Sequence, residues 1–247
     1  MDEQTSWRIQ LCMAWMGPTM IIGSLLSWMV LGHNFSPPGS APSGEELVDQ
    51  YYGGAYQQQI LLGMILAAIF GVFYALWSIQ MSVQMWRREP APILSLIQLV
   101  GGVLTAWVLC SCPALWAWCA RYAGSPGIEP EMIKAVHVIS WYLFDLTYMI
   151  TTIQHIACGA FAILDRHKPA IFPTWAGWYS ILVGSGFVLL SLVPYFDHGP
   201  FAMNGLVDLF VLLAGWAGWI VIYSIYMIRD LRRDPAANVS PAPAGSG

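Results

Sequence analysis

The residues best suited to chemistry lie together on one stretch of the chain. Turned by about 100° per residue, as on an α-helix, His137, Trp141, Asp145, Tyr148, Thr152 and His155 fall within about 80° of one line. A polar stripe of this kind is costly against lipid, so it must face the interior of a bundle or a wet cavity. Asp145 is its sharpest member. It sits well inside an apolar run, and no Lys or Arg occurs in the middle of any apolar run to pair with it. A carboxylate at that depth needs water or hydrogen-bond donors to keep its charge. Tyr74, Thr105 and Tyr148 lie at similar depth and are candidate donors. Asp145 is therefore expected to handle a proton or anchor a ligand, with Trp141, Tyr148, Thr152, Tyr74 and His155 around it. A structural hydrogen bond between helices is the alternative. Asp208, near the start of the last apolar run, fits an interfacial group or a support for a helix N-terminus.

The histidines supply a second constellation. His33, His137 and His198 all fall near one boundary of the apolar runs. Neutral imidazole suits Zn, Cu and Fe, which makes this trio a candidate metal site. His137 and His155 lie about 27 Å apart along a helix axis, too far to share a metal or a haem. No cofactor is implied. The cysteines (Cys12, Cys110, Cys112, Cys119 and Cys158) lie inside apolar runs without a Cys-x-x-Cys spacing, where a thiol behaves as a small hydrophobe. The chain also has no P-loop, Gly-x-Ser-x-Gly, His-Glu-x-x-His or dinucleotide fingerprint.

The elements that must position these residues follow from the composition. Of 247 residues 57% are hydrophobic and only 10% charged, against about a quarter charged in a soluble domain. Lipid must therefore cover most of the surface. Apolar runs of spanning length occupy 9–31, 60–85, 93–120, 135–164, 175–195 and 205–228. The first carries no small-residue cleavage site and is expected to be a true span. Gly17-Pro18 and Cys112-Pro113 are expected to kink their helices. With the amino terminus inside, Arg8, Arg87, Arg88, Arg166, Lys168, Arg229, Arg232 and Arg233 are cytoplasmic, and only Arg121 and Lys134 lie outside. The net charge of −4 carries no basic patch that fits nucleic acid.

The expected fold is an all-α integral membrane protein of six transmembrane helices, with both termini cytoplasmic. The long first outer loop, 32–59, contains Ser43-Gly44-Glu45-Glu46, a capping box that predicts a short surface helix ending at Gly53-Gly54. The Gly101-Gly102, Gly184-Ser185-Gly186 and Gly215-to-Gly218 segments should let helices approach closely. A Pro/Ala/Ser/Gly-rich tail from Pro235 should be disordered.

Short runs carry a resemblance. Ser43-Gly-Glu-Glu-Leu, the Glu89-Pro90 turn, Gln98-Leu-Val-Gly-Gly, Ile171-Phe-Pro-Thr-Trp-Ala-Gly and Gly199-Pro-Phe-Ala-Met-Asn-Gly together resemble a group of bacterial multi-pass membrane proteins. The resemblance implies the topology and a bacterial cytoplasmic (inner) membrane, and no activity. The reading that follows is a membrane-embedded binding or transport-type protein for a small, largely apolar ligand, with the lipid bilayer as its main partner. An intramembrane enzyme (an isomerase, or a metal- or haem-dependent oxidoreductase, on a lipophilic substrate) and a non-catalytic accessory subunit stay open beside it.

Overall fold

Backbone polar groups in lipid must be satisfied within the chain, and a helix does this for each span independently. The computed structural model describes residues 2–233. The tail expected to be disordered lies outside the described residues. Within them, six helical segments are long and apolar enough to cross a membrane, which fits a multi-pass membrane protein.

α1 (Glu3–Ser24) starts at Asp2, whose carboxylate accepts from the Thr5 N–H at 2.7 Å. That bond holds the Asp2 carboxyl below its usual range. The helix continues to Leu31 as a π-helical segment, Leu25–Leu31. The first loop contains α2 (Gly44–Leu47), with both bonds of the expected capping box: Glu46 N–H to Ser43 Oγ at 3.2 Å and Ser43 N–H to Glu46 Oε2 at 2.8 Å. It runs on as Val48–Tyr52 and stops at Gly53. α3 (Gln57–Trp86) and α4 (Ile93–Tyr122) are long and unbroken. The fourth span comprises α5 (Pro130–Leu146) and α6 (Tyr148–Leu164). The fifth is α7 (Thr174–Gly186) followed by a 3₁₀ segment, Phe187–Tyr195. The sixth opens as a π-helical segment, Val207–Leu212, and continues as α8 (Leu213–Arg233).

Pro18 and Pro113 lie inside helices that continue past them. One expectation about helix geometry needs correcting: the fourth span is not a single unbroken helix. Thr147 has φ −86° and ψ 11°, and its hydroxyl donates to the Leu143 carbonyl at 2.8 Å. A threonine hydroxyl bonded back to the preceding turn competes with the helical ladder. Even so, His137, Trp141 and Asp145 before the break and Thr152 and His155 after it are buried, and Tyr148 is half-buried, so the stripe faces the interior as expected.

The interior holds polar side chains within an apolar core, and the outside is apolar. Gln80, Gln84, Gln98, Gln154, Asp145 and Asp208 are buried, whereas Leu62, Val100, Ile139, Leu182 and Val211 are exposed. Exposed aliphatic faces of this kind suit lipid. Small residues set the closest helix approaches, as expected from the glycine pairs. At the α6–α7 contact, a Cβ on Gly177 would lie 2.8 Å from the Gly159 carbonyl oxygen, and one on Gly159 would lie 2.7 Å from that of Gly177.

Candidate functional site

The site is assembled where helices lose α regularity. A cavity of about 60 Å³ lies between α4, the α5–α6 break and the irregular ends of the fifth and sixth spans. Its walls are Thr105, Val108 and Leu109 from α4, Phe144, Thr147, Tyr148, Ile150 and Thr151 around the break, Phe187 and Leu190 from the 3₁₀ segment, and Asp208, Leu212, Leu213 and Trp216 from the sixth span. A second cavity, of about 80 Å³, is almost wholly apolar. The end of the first span supplies Leu25, Trp28 and Met29; α3 supplies Ala67; α4 supplies Pro113 and Trp116. Leu109, Phe144, Leu213 and Trp216 line both. The two cavities are thus chambers divided by a wall of four side chains. Every wall element of the first chamber except α4 contains a break, a 3₁₀ turn or a π segment. Such π segments recur at functional sites because they re-aim side chains.

Asp145 is fully buried, and neither carboxyl oxygen has a hydrogen-bond partner among the described residues. It is within electrostatic reach of Cys112 on α4 and of Asp208. The donors expected for it are bonded elsewhere. Tyr74 donates to Gln154 Oε1 at 2.7 Å, Thr105 pairs with Thr151 at 2.9 Å, and Tyr148 pairs with Ser191 at 2.8 Å.

The remaining residues of the expected stripe disperse. Trp141 packs against Trp116 with ring centroids 4.9 Å apart, behind the chambers. Thr152 donates to the Gly184 carbonyl at 2.9 Å. His155 stacks on Trp219 at 4.0 Å. Only Tyr148 of the six stripe residues lines a chamber, although Asp145 is flanked in sequence by the lining residue Phe144.

Asp208 is the carboxylate in the chamber wall, and its Oδ2 also lacks a partner. Sequence reasoning placed it at an interface. The only signal for its role was an acid within an apolar run, and the π segment that turns it inward is not encoded by any recognisable motif. The indole N–H groups of Trp28, Trp116, Trp141 and Trp216 are likewise buried without a partner. Gln154 was overlooked altogether. It accepts from Tyr74, donates to Ser78 Oγ at 3.2 Å and is the polar centre of the α3–α6 contact.

The outer histidines do not converge. Among the described residues, no three or more His, Cys, Asp or Glu side chains are grouped to hold a metal. His137 is engaged at both ring nitrogens: Nε2 lies 3.0 Å from the Pro38 carbonyl and Nδ1 2.7 Å from the Tyr52 hydroxyl. The carbonyl can only accept, so Nε2–H donates to it and Nδ1 accepts from Tyr52. Burial holds the Tyr52 phenol well above its usual range, which keeps it a donor. His33 packs on Tyr56 at 4.5 Å, and His198 lies exposed in the loop between the fifth and sixth spans. His137 therefore fastens the first loop to the fourth span. Asn34, which donates to the Trp28 carbonyl at 3.0 Å, and Asn204, which donates to the Pro37 carbonyl at 3.3 Å, fasten it to the first and sixth spans' ends. The loop thereby covers the bundle end nearest the chambers.

At the opposite end, a wider opening of about 790 Å³ is lined by Arg87, Arg88, Arg166 and His167. Arg88 donates there to the Pro169 carbonyl at 3.3 Å and pairs with Asp230 at 3.5 Å, while His167 pairs with Asp165 at 2.8 Å. Arg87 donates to Gln10 Oε1 at 3.1 Å.

No family model, curated protein or solved structure matches the chain. The residues of the chambers are what speak to its activity.

Proposed function

We propose that this chain is a multi-pass protein of the bacterial cytoplasmic membrane that binds, or binds and moves, a small and largely apolar ligand. The split of basic residues supports an orientation with both termini in the cytoplasm and the first loop outside. The observation that carries the binding reading is the divided cavity beside a buried acid without a partner. An unpaired buried polar group costs about 1–3 kcal/mol, more when charged, and an apolar chamber adds the loss of packing contacts. Neither helps a bundle that has only to fold. Both are explained if a ligand completes the site, with Phe144 and Trp216 at its centre and Asp208 and Asp145 at its polar end.

The test is binding of a small apolar probe, tert-butylbenzene, to the protein in lipid nanodiscs, followed by tryptophan emission with empty-disc partition subtracted. Saturable quenching is expected, because Trp28, Trp116 and Trp216 line the chambers. It should vanish in Leu109→Trp, which fills space in both chambers. Equal response of wild type and that variant would overturn the reading, because the probe would then be reporting on lipid alone.

A further inference from the structure

This inference rests on the binding reading above and assigns the ligand its charge. Neither chamber has a Lys, Arg or His in its wall. The nearest hydroxyl donors are spent: Thr105 and Thr151 on each other, Thr147 on the Leu143 carbonyl, Tyr148 with Ser191. Three carboxyl oxygens, both of Asp145 and Oδ2 of Asp208, are left without a partner. A neutral donor satisfies one such oxygen and no more. A cation would also favour the ionised form of the acids, for which the chamber walls hold no counter-charge.

The surroundings fit a soft organic cation better than a hydrated metal ion. Trp216 and Phe144 stand between the acid and the apolar chamber, and aromatic faces attract ammonium groups. The other chamber, walled by Trp28 and Trp116, has almost no polar surface. An engineered cavity of about 150 Å³ accepts benzene. Chambers of about 60 and 80 Å³ are each smaller than that, so a ligand with both a head and a tail must span the dividing wall.

We propose that the ligand is a small lipophilic ammonium cation, its charged head beside Asp208 with Asp145 behind it and its apolar part between Trp28 and Trp116. The experiment compares two probes of the same shape in nanodiscs: phenyltrimethylammonium, and tert-butylbenzene as its neutral counterpart. The charged probe is expected to bind wild type at least about tenfold more tightly, given the strength of a desolvated cation–aromatic contact. Asp208→Asn and Asp145→Asn should each remove most of that preference, read as the ratio of the charged probe's affinity to the neutral probe's in the same variant. Equal affinity of the two probes for wild type, or a preference that survives both variants, would overturn the ammonium assignment while the apolar-ligand reading stands. Absence of saturable binding by either probe would sink both. The wild-type comparison needs no variant, so it decides the question even where an Asn substitution fails to fold.

Discussion

From mid-bundle toward the chain termini, the helices are joined by polar side chains that find one another. Tyr74, Gln154 and Ser78 form a chain of bonds between α3 and α6; Trp77 donates to Ser224 at 2.8 Å; Gln84 reaches the Met227 carbonyl at 3.2 Å. Some atoms remain unpaired there, among them Gln84 Oε1 and Gln98 Nε2, whose side chains are bonded at the other end, and the Trp219 indole N–H. Toward the first loop, the balance differs. Asp145 has no bond at either oxygen, the indoles of Trp28, Trp116, Trp141 and Trp216 have none, and four of the spans there leave α geometry at Leu25, Thr147, Phe187 and Val207. One half of the bundle is sewn shut and the other is held open. Interhelical bonds in membranes contribute only about 0.6 kcal/mol on average, so the first half is stable by packing as well as by bonding. The second half gives up part of each at its chambers.

The largest effects belong to the closed half. Gly177→Leu places side-chain carbons where the Gly159 backbone already stands at van der Waals limit or closer. α6 and α7 must then separate, and no monodisperse folded protein is expected on size-exclusion chromatography in detergent. A wild-type elution and melting profile would mean that this helix contact is not a fixed part of the fold.

Gln154→Leu comes next. It keeps the volume but strands the Tyr74 hydroxyl and Ser78, at a cost of about 2 kcal/mol in thermal or denaturant unfolding. Tyr74→Phe in the same background should recover part of the loss, because the hydroxyl left unpaired is removed with its partner. Strictly additive losses would show that Tyr74 and Gln154 do not act as one unit.

The spans and the first-loop helix were legible in the amino-acid sequence, and the side-chain pairing in either half, Gln154 included, was not. Apolar runs of spanning length located every span, and Ser43 and Glu46 marked α2 through a bond pattern that depends on local spacing alone. The break at Thr147 was not readable, because a threonine in an apolar run bonds back to its own helix or across to another depending on its neighbours. The six-residue stripe still faces the interior across that break, but only Tyr148 of it reaches a chamber. Tryptophan was equally opaque: Trp107, Trp175 and Trp178 are exposed while Trp77 and Trp219 are fully buried, and an indole suits either setting. The role of His137 depended on a loop carbonyl, Pro38, that is distant in sequence.

The loop itself offers a smaller test at the boundary between the two halves. Tyr52→Phe removes the donor to His137 Nδ1 and should cost about 1 kcal/mol. The change should be concentrated in residues 36–53, as faster amide hydrogen exchange, with α3 and α6 unaffected. Exchange that rises evenly through the bundle would show that the loop is not a separate cover.

The smallest expected change in stability is the most informative about function. Asp145→Leu replaces an unpartnered carboxyl in a dry setting with an apolar side chain of similar size. In the closed half, the equivalent loss of a polar group is destabilising, as at Gln154. Here nothing is stranded by the change, since no side chain donates to Asp145. The variant should therefore melt within about 1 kcal/mol of wild type, on the stabilising side, because an unsatisfied buried polar group has been removed. Binding of phenyltrimethylammonium should fall at the same time. Stability gained where binding is lost is the signature of a group kept for its ligand at the expense of the fold. A strongly destabilised Asp145→Leu protein would argue the reverse: that the carboxyl holds helices together, and that the open half is structural after all.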